Sequence, residues 1–200
     1  MPMLPDPGQM DLIEQACLSM ADEGTPRSAF DIVQMLMDLP DLPMHCPYHH
    51  FLIPAALLTA AQLSTGGGRA QLSPQLKKAR ERAGIIPGGF CGQFGACGAA
   101  LGTGIFCCVW LKTDPHSKSG WAVGNELTAR CLSAIATVEG PRCCKRVTYL
   151  TLQAAIPAIR EMLSLDLGTV PTISCHHHDR SRDCRKEACP FYPGEETACT

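Results

Sequence analysis

Apolar residues return every three or four positions along most of this chain, the period of a helix buried on one face. Leu12, Ile13, Ala16, Cys17 and Met20 make one such stripe and predict a helix over 11–22. Thr25-Pro26 reads as a cap followed by proline at the first helical position, so a second helix is expected over 26–38, ended by Leu39-Pro40-Asp41-Leu42-Pro43. His45-Cys46-Pro47 opens a third apolar segment that reaches about Ser64, with Pro54 expected to kink it or split off its first turn. Three glycines at 66–68 break the pattern. Ser73-Pro74 then caps a basic helix over 74–83 that stops at Gly84. Lys77, Lys78, Arg80 and Arg82 on that helix read as a solvated face. A loop containing Pro87-Gly88-Gly89 leads to a glycine-rich apolar helix over 93–112. Further helices are predicted over 119–138 and 142–165, the last with a kink at Pro157. Alternating strand patterns are scarce, Thr169–Ser174 being the one candidate.

The predicted fold class is therefore mainly α: a compact multi-helix domain followed by an irregular extension. Its expected parts are an N-terminal helical segment over 1–44, a helical cysteine-containing core over 45–167, and a Cys/His-rich tail over 168–200 packed on that core. The tail has little that is apolar, so it is either flexible or tied down by metal.

Composition narrows the function. Hydrophobic residues make up 46% of the 200 positions and charged ones 18%, enough to bury a core. A net charge of −2 and an aromatic content of 6% give neither the basic footprint nor the stacking platforms of a nucleic-acid binder. The most apolar run, 98–111, is shorter than the roughly 20 residues of a membrane span. The start lacks the basic and apolar regions of a signal peptide, and the expected location is the cytoplasm. In a reducing compartment, 13 cysteines point to metal or redox chemistry more than to disulfides.

Some of these cysteines read as core: Cys17, Cys107 and Cys131 sit on apolar helical faces. Others fall where a thiolate is favoured, at helix starts with free N–H groups and the positive end of the dipole. Cys46, followed by proline, is one. Cys97 in the first turns of the glycine-rich helix is a second. The vicinal pair Cys143-Cys144, before Lys145-Arg146, is a third, and one of the two is a ligand candidate. A Cys46/His49 metal pair is an alternative. Gly95, Gly98 and Gly102 recur on one helical face. They predict a close approach, either of another helix or subunit or, through Gly92, Gly95 and Gly98, of backbone N–H groups to the sulfurs of a cluster near Cys91 and Cys97. The tail adds Cys175, Cys184, Cys189 and Cys199, without the tight pairs of a zinc ribbon. It also holds His176-His177-His178, either a weak metal site or a solvated run. Cys189-Pro190 is the kind of step that closes many ferredoxin ligand sets. There is no GxSxG, HExxH or phosphate-loop motif.

The order of these motifs ("CPYHHFLIPAALLTA", "GACGAALG", "GPRCCKR", "ISCHHH") resembles the redox-active family known by its C_GCAxxG_C_C pattern, and more closely the DUF5714 family, which is sometimes joined to methyltransferase domains. The likeness covers about residues 45–192. It implies redox or iron–sulfur function and marks Cys46, Cys97, Cys143 or Cys144, and Cys175. The chain reads Cys97-Gly98-Ala99 where the first family has Gly-Cys-Ala. Cys91, Cys184 and Cys189 form a reserve that, with one more donor, suffices for a second site.

The function expected is an iron–sulfur protein of electron transfer or redox sensing, working with a protein redox partner or a methyltransferase. Two alternatives stand beside it. One is a cluster-free dithiol protein cycling Cys91 with Cys97, or Cys143 with Cys144. The other is an accessory domain stabilised by zinc. A homo-oligomer through the glycine face is compatible with each.

Overall fold

The computed structural model describes residues 3–194 and is all-helical over that span, with no strand. Eight α-helices follow one another: α1 (Pro7–Glu23), α2 (Ala29–Met37), α3 (His49–Ser64), α4 (Arg69–Gly84), α5 (Phe90–Phe94), α6 (Gly98–Trp110), α7 (Trp121–Ile135) and α8 (Cys144–Leu163). Among the described residues no helix is long and apolar enough to cross a membrane.

The centre is α3. Every residue from 51 to 63 is buried, so this helix has no solvent face and packs against α1, α2, α4, α6 and α8. The helix continues through Pro54, and α8 likewise continues through Pro157. Thr59 is accommodated in the apolar interior by donating its hydroxyl to the Ala55 carbonyl, 2.8 Å away.

Several ends differ from the sequence expectation. The second helix starts at Ala29 because Ser28, rather than Thr25, caps it and accepts the Asp31 N–H. The fourth starts at Arg69, a full turn before Ser73-Pro74, with Gly68 as its N-cap and Gln71 Oε1 accepting the Gly68 N–H, and it runs on through Pro74. Its face is not purely solvated, because Arg80 pairs with Asp11 and Glu14 of α1. The segment expected as one helix over 93–112 is two, separated at Gly95, which takes φ +65°. Gly95 therefore does not share a helical face with Gly98 and Gly102. Residues 169–174 form no strand.

The remaining glycines of α6 form close-packed seams on two sides. A Cβ on Gly102 would stand 2.8 Å from Pro54 Cδ and 3.0 Å from Ile53 Cβ of α3. On the other side, a Cβ on Gly104 would stand 2.4 Å from Thr128 Oγ1 of α7, and one on Gly124 of α7 would meet Cys108 Sγ at 3.0 Å. We expect Gly102→Ala to lower stability by about 1 kcal/mol, since overpacking of roughly 1–3 kcal/mol exceeds the helix propensity gained. Urea unfolding would read this as a lower midpoint at constant slope.

The tail is held on the helical core. Leu165, Leu167, Ile173 and Phe191 are buried in it, and Phe191 meets Tyr149 edge-to-face at 5.3 Å. Ala29 N–H donates to the Leu167 carbonyl, and Cys175 N–H to that of Phe191. One 3₁₀ turn, Lys186–Ala188, is its only regular element among the described residues.

Candidate functional site

The starts of α3, α6 and α8, the short α5 and the end of α7 enclose a cavity of about 450 Å³. Each wall brings a thiol except the last. Cys46 stands one turn before α3. Cys91 lies on α5, and Cys97 is the N-cap of α6. Cys144 is the first residue of α8, whose N-cap is Cys143. Helix starts supply N–H groups that no intrahelical carbonyl accepts, and here those groups point at sulfur. The backbone N–H groups of Ala99 and Ala100 lie beside Cys97, that of Tyr48 beside Cys46 and that of Cys46 beside Cys144, and each favours the thiolate.

Burial pushes the thiols of Cys46 and Cys97 up, and that of Cys144 up to about 11. The neighbouring N–H groups and the Arg142 guanidinium oppose that shift at all three. Arg142 donates from Nη1 to Cys144 Sγ at 3.3 Å. The wall is thus built to receive negative charge at sulfur, and a metal that displaces the thiol protons would supply the reason. No Asp or Glu lines it. Arg146, only 4% exposed, also lines it; its Nη2 is bonded to the carbonyls of Glu139 and Pro141, while its Nε is buried without a partner. Lys145 is 1% exposed, and burial lowers its pKa to about 8. Lys145 lies outside the lining, donates to the Met37 carbonyl and Tyr48 Oη, and feels the Asp38 charge, which opposes that shift.

Two histidines complete the first cavity. His50 donates from Nδ1 to the Ile86 carbonyl at 3.0 Å and packs on Gly98, where a Cβ would lie 1.9 Å from its Cδ2. His49 donates from Nδ1 to the Cys46 carbonyl at 3.0 Å, which leaves Nε2 as a buried lone pair without a partner. Burial holds both rings neutral by lowering their pKa.

A second, much smaller cavity of about 20 Å³ lies behind the first turn of α8. Cys143, Cys175, Cys184 and Cys189 line it, together with Arg146, and again no carboxylate does. Burial raises the Cys175 thiol, the His177 N–H lowers it, and the charges of Cys143, Cys189 and Cys184 raise it further.

The sequence-derived candidates line two cavities: Cys46, Cys91, Cys97, Cys143 and Cys144 the first, and Cys143, Cys175, Cys184 and Cys189 the second. Cys175, which the resemblance sets with Cys46 and Cys97, belongs to the second cavity; Cys91, from the reserve, stands in the first. Cys143 lines both cavities, whereas Cys144 lines the first alone. Gly92 and Gly98 line the first cavity, whereas Gly95 lies on a neighbouring groove with Cys91 and Cys97. The N–H groups that reach the Cys97 sulfur come from Ala99 and Ala100 rather than from 92–98. Cys17, Cys107 and Cys131 are fully buried core thiols, and Cys199 lies outside the described residues. All the cysteines of the described residues are free thiols. Sequence reasoning missed Arg142, although it adjoins a cysteine at a helix start and so carried the same signal as Lys145-Arg146. It also missed the grouping of Asp38 with His176 and His177, whose ligand atoms lie within 4.8 Å of one another; nothing local in sequence joins those two segments.

Fold and cavities together define a protein that is all-helical over the described residues, with two groups of mostly half-buried cysteines beside arginines. The chain belongs to the family of unknown function DUF5714, whose model matches residues 13–192. No curated protein and no solved structure matches it.

Proposed function

We propose that this protein holds an iron–sulfur cluster in the first cavity through Cys46, Cys91, Cys97 and Cys144, and serves in electron transfer or redox sensing with a protein redox partner. The observation that carries the reading is the convergence of five cysteines, these four and Cys143, from four separate chain segments on one carboxylate-free, arginine-lined cavity. A cluster bound by four thiolates is anionic, which suits Arg142 and the unpartnered Nε of Arg146. When bound, it supplies one-electron oxidation and reduction. The protein's own groups hold it, donate hydrogen bonds toward its sulfurs and keep water from it, the levers that set a cluster's potential.

Zinc suits the first cavity less well. The sulfurs on one tetrahedral zinc stand about 3.8 Å apart, from a Zn–S length of about 2.3 Å. So compact a site would leave most of a cavity of about 450 Å³ unfilled, a size that favours a larger group. Three of the four ligands, Cys46, Cys97 and Cys144, are among those marked by the sequence resemblance to the C_GCAxxG_C_C redox proteins, whereas Cys91 takes the place it gives to Cys175.

Protein purified without oxygen is expected to be brown, with iron and acid-labile sulfide in equal amounts, and to bleach reversibly on reduction. Colourless protein that takes up no iron and sulfide on reconstitution would sink the reading, as would zinc alone retained in the first cavity.

A further inference from the structure

The second cavity stands apart from that function. Its thiols come from the start of α8 and from three points of the tail, a segment with few apolar side chains of its own. Cys143 is buried at 8% exposure and serves as the N-cap of α8 without a side-chain capping bond. The 3₁₀ turn Lys186–Ala188 sits between Cys184 and Cys189, with the Lys186 N–H donating to Cys184 Sγ at 3.4 Å. His177 is fully buried against the same cavity; neither ring nitrogen has a hydrogen-bond partner, and the nearest carboxylate, Asp38, stands 3.6 Å from its Nε2. A polar ring so placed costs free energy unless something in the cavity meets it.

We propose that Cys143, Cys175, Cys184 and Cys189 form a second metal centre, for a thiophilic metal held as thiolates, with His177 facing it. Each thiol that binds gives its proton to solvent, so no oxidant or reductant is needed. Soft sulfur donors select zinc or an iron–sulfur cluster. The cavity is about 20 Å³ and, among the described residues, no three of these sulfurs lie within 4.8 Å of one another, so binding draws the tail thiols into place around the metal. The centre fastens the tail to α8, in place of the hydrophobic core the tail lacks. It does not depend on what fills the first cavity.

The test is metal and sulfide analysis of three anaerobically prepared proteins: wild type, Cys46→Ser/Cys97→Ser, and Cys175→Ser/Cys189→Ser. The first double variant is expected to keep a full centre's metal, and the second to lose that share. Zinc, or iron with sulfide, in that share supports the proposal and identifies the metal. Trypsin should cut the Cys175→Ser/Cys189→Ser tail at Arg180, Arg182 or Arg185 at least tenfold faster than wild type, while the helical circular dichroism stays. Should Cys175→Ser/Cys189→Ser not fold, Cys46→Ser/Cys97→Ser decides alone. If it carries neither zinc nor iron, the proposal is overturned. An empty first cavity in wild type would defeat the previous reading yet leave this centre's metal in place.

Discussion

Cys144→Ser protein, prepared without oxygen, should lose the iron of the first cavity, while Cys143→Ser should retain it and lose the metal of the second. The two residues are neighbours, and a single ligand set would make them interchangeable. Their surroundings are not. The Cys144 sulfur accepts from the Arg142 guanidinium, lies beside the Cys46 N–H, and feels the charges of Cys143 and Cys97. Cys143, extended at φ −135° and ψ 117°, also reaches the second cavity, where its charge acts on Cys175. An extended N-cap followed by a helical residue sends consecutive side chains in different directions. Metal analysis of the two variants should therefore give complementary losses. Identical losses would show that the pair serves one site.

Gly98→Ala should cost about 3 kcal/mol, the upper end of ordinary overpacking, and lower the iron held in the first cavity at least tenfold. The new methyl would lie 1.9 Å from His50 Cδ2 and 2.6 Å from its Cγ, too near the root of the side chain for a small rotation to relieve. Moving that ring breaks its hydrogen bond to the Ile86 carbonyl, which secures the loop leading to α5 and Cys91. The double variant Gly98→Ala/His50→Ala removes the obstruction and should be more stable than Gly98→Ala alone. A urea series on both singles and the double measures the coupling. Equal midpoints for Gly98→Ala and wild type would mean that the two helices separate freely at this contact.

Most of the helices could be read from the periodicity, because each surface helix carries its own apolar stripe. The errors came where the rule depends on context. Gly95 looks like a member of a helical glycine series, and only its left-handed backbone shows the break. Ser73-Pro74 has the form of a cap, yet the helix begins a turn earlier. Of the site, helix-start chemistry pointed to Cys46, Cys97 and the 143–144 pair without any coordinates. The partition between two cavities was not legible. It depends on how the tail folds back on α8, and long-range contacts among irregular segments leave no period in a sequence. The tail cysteines were recognised as a cluster by density alone, which says that they gather but not around what.

The short helix α5 differs from the other walls of the first cavity in one respect: none of its residues is buried. Three of the thiols stand at or just before the starts of long helices anchored in the interior, whereas Cys91 rides on five residues with little to hold them. Local opening costs least where least surface is covered. Disassembly of whatever the cavity holds would thus begin at one ligand, Cys91, with the other three still in register, and oxygen would enter from that same side.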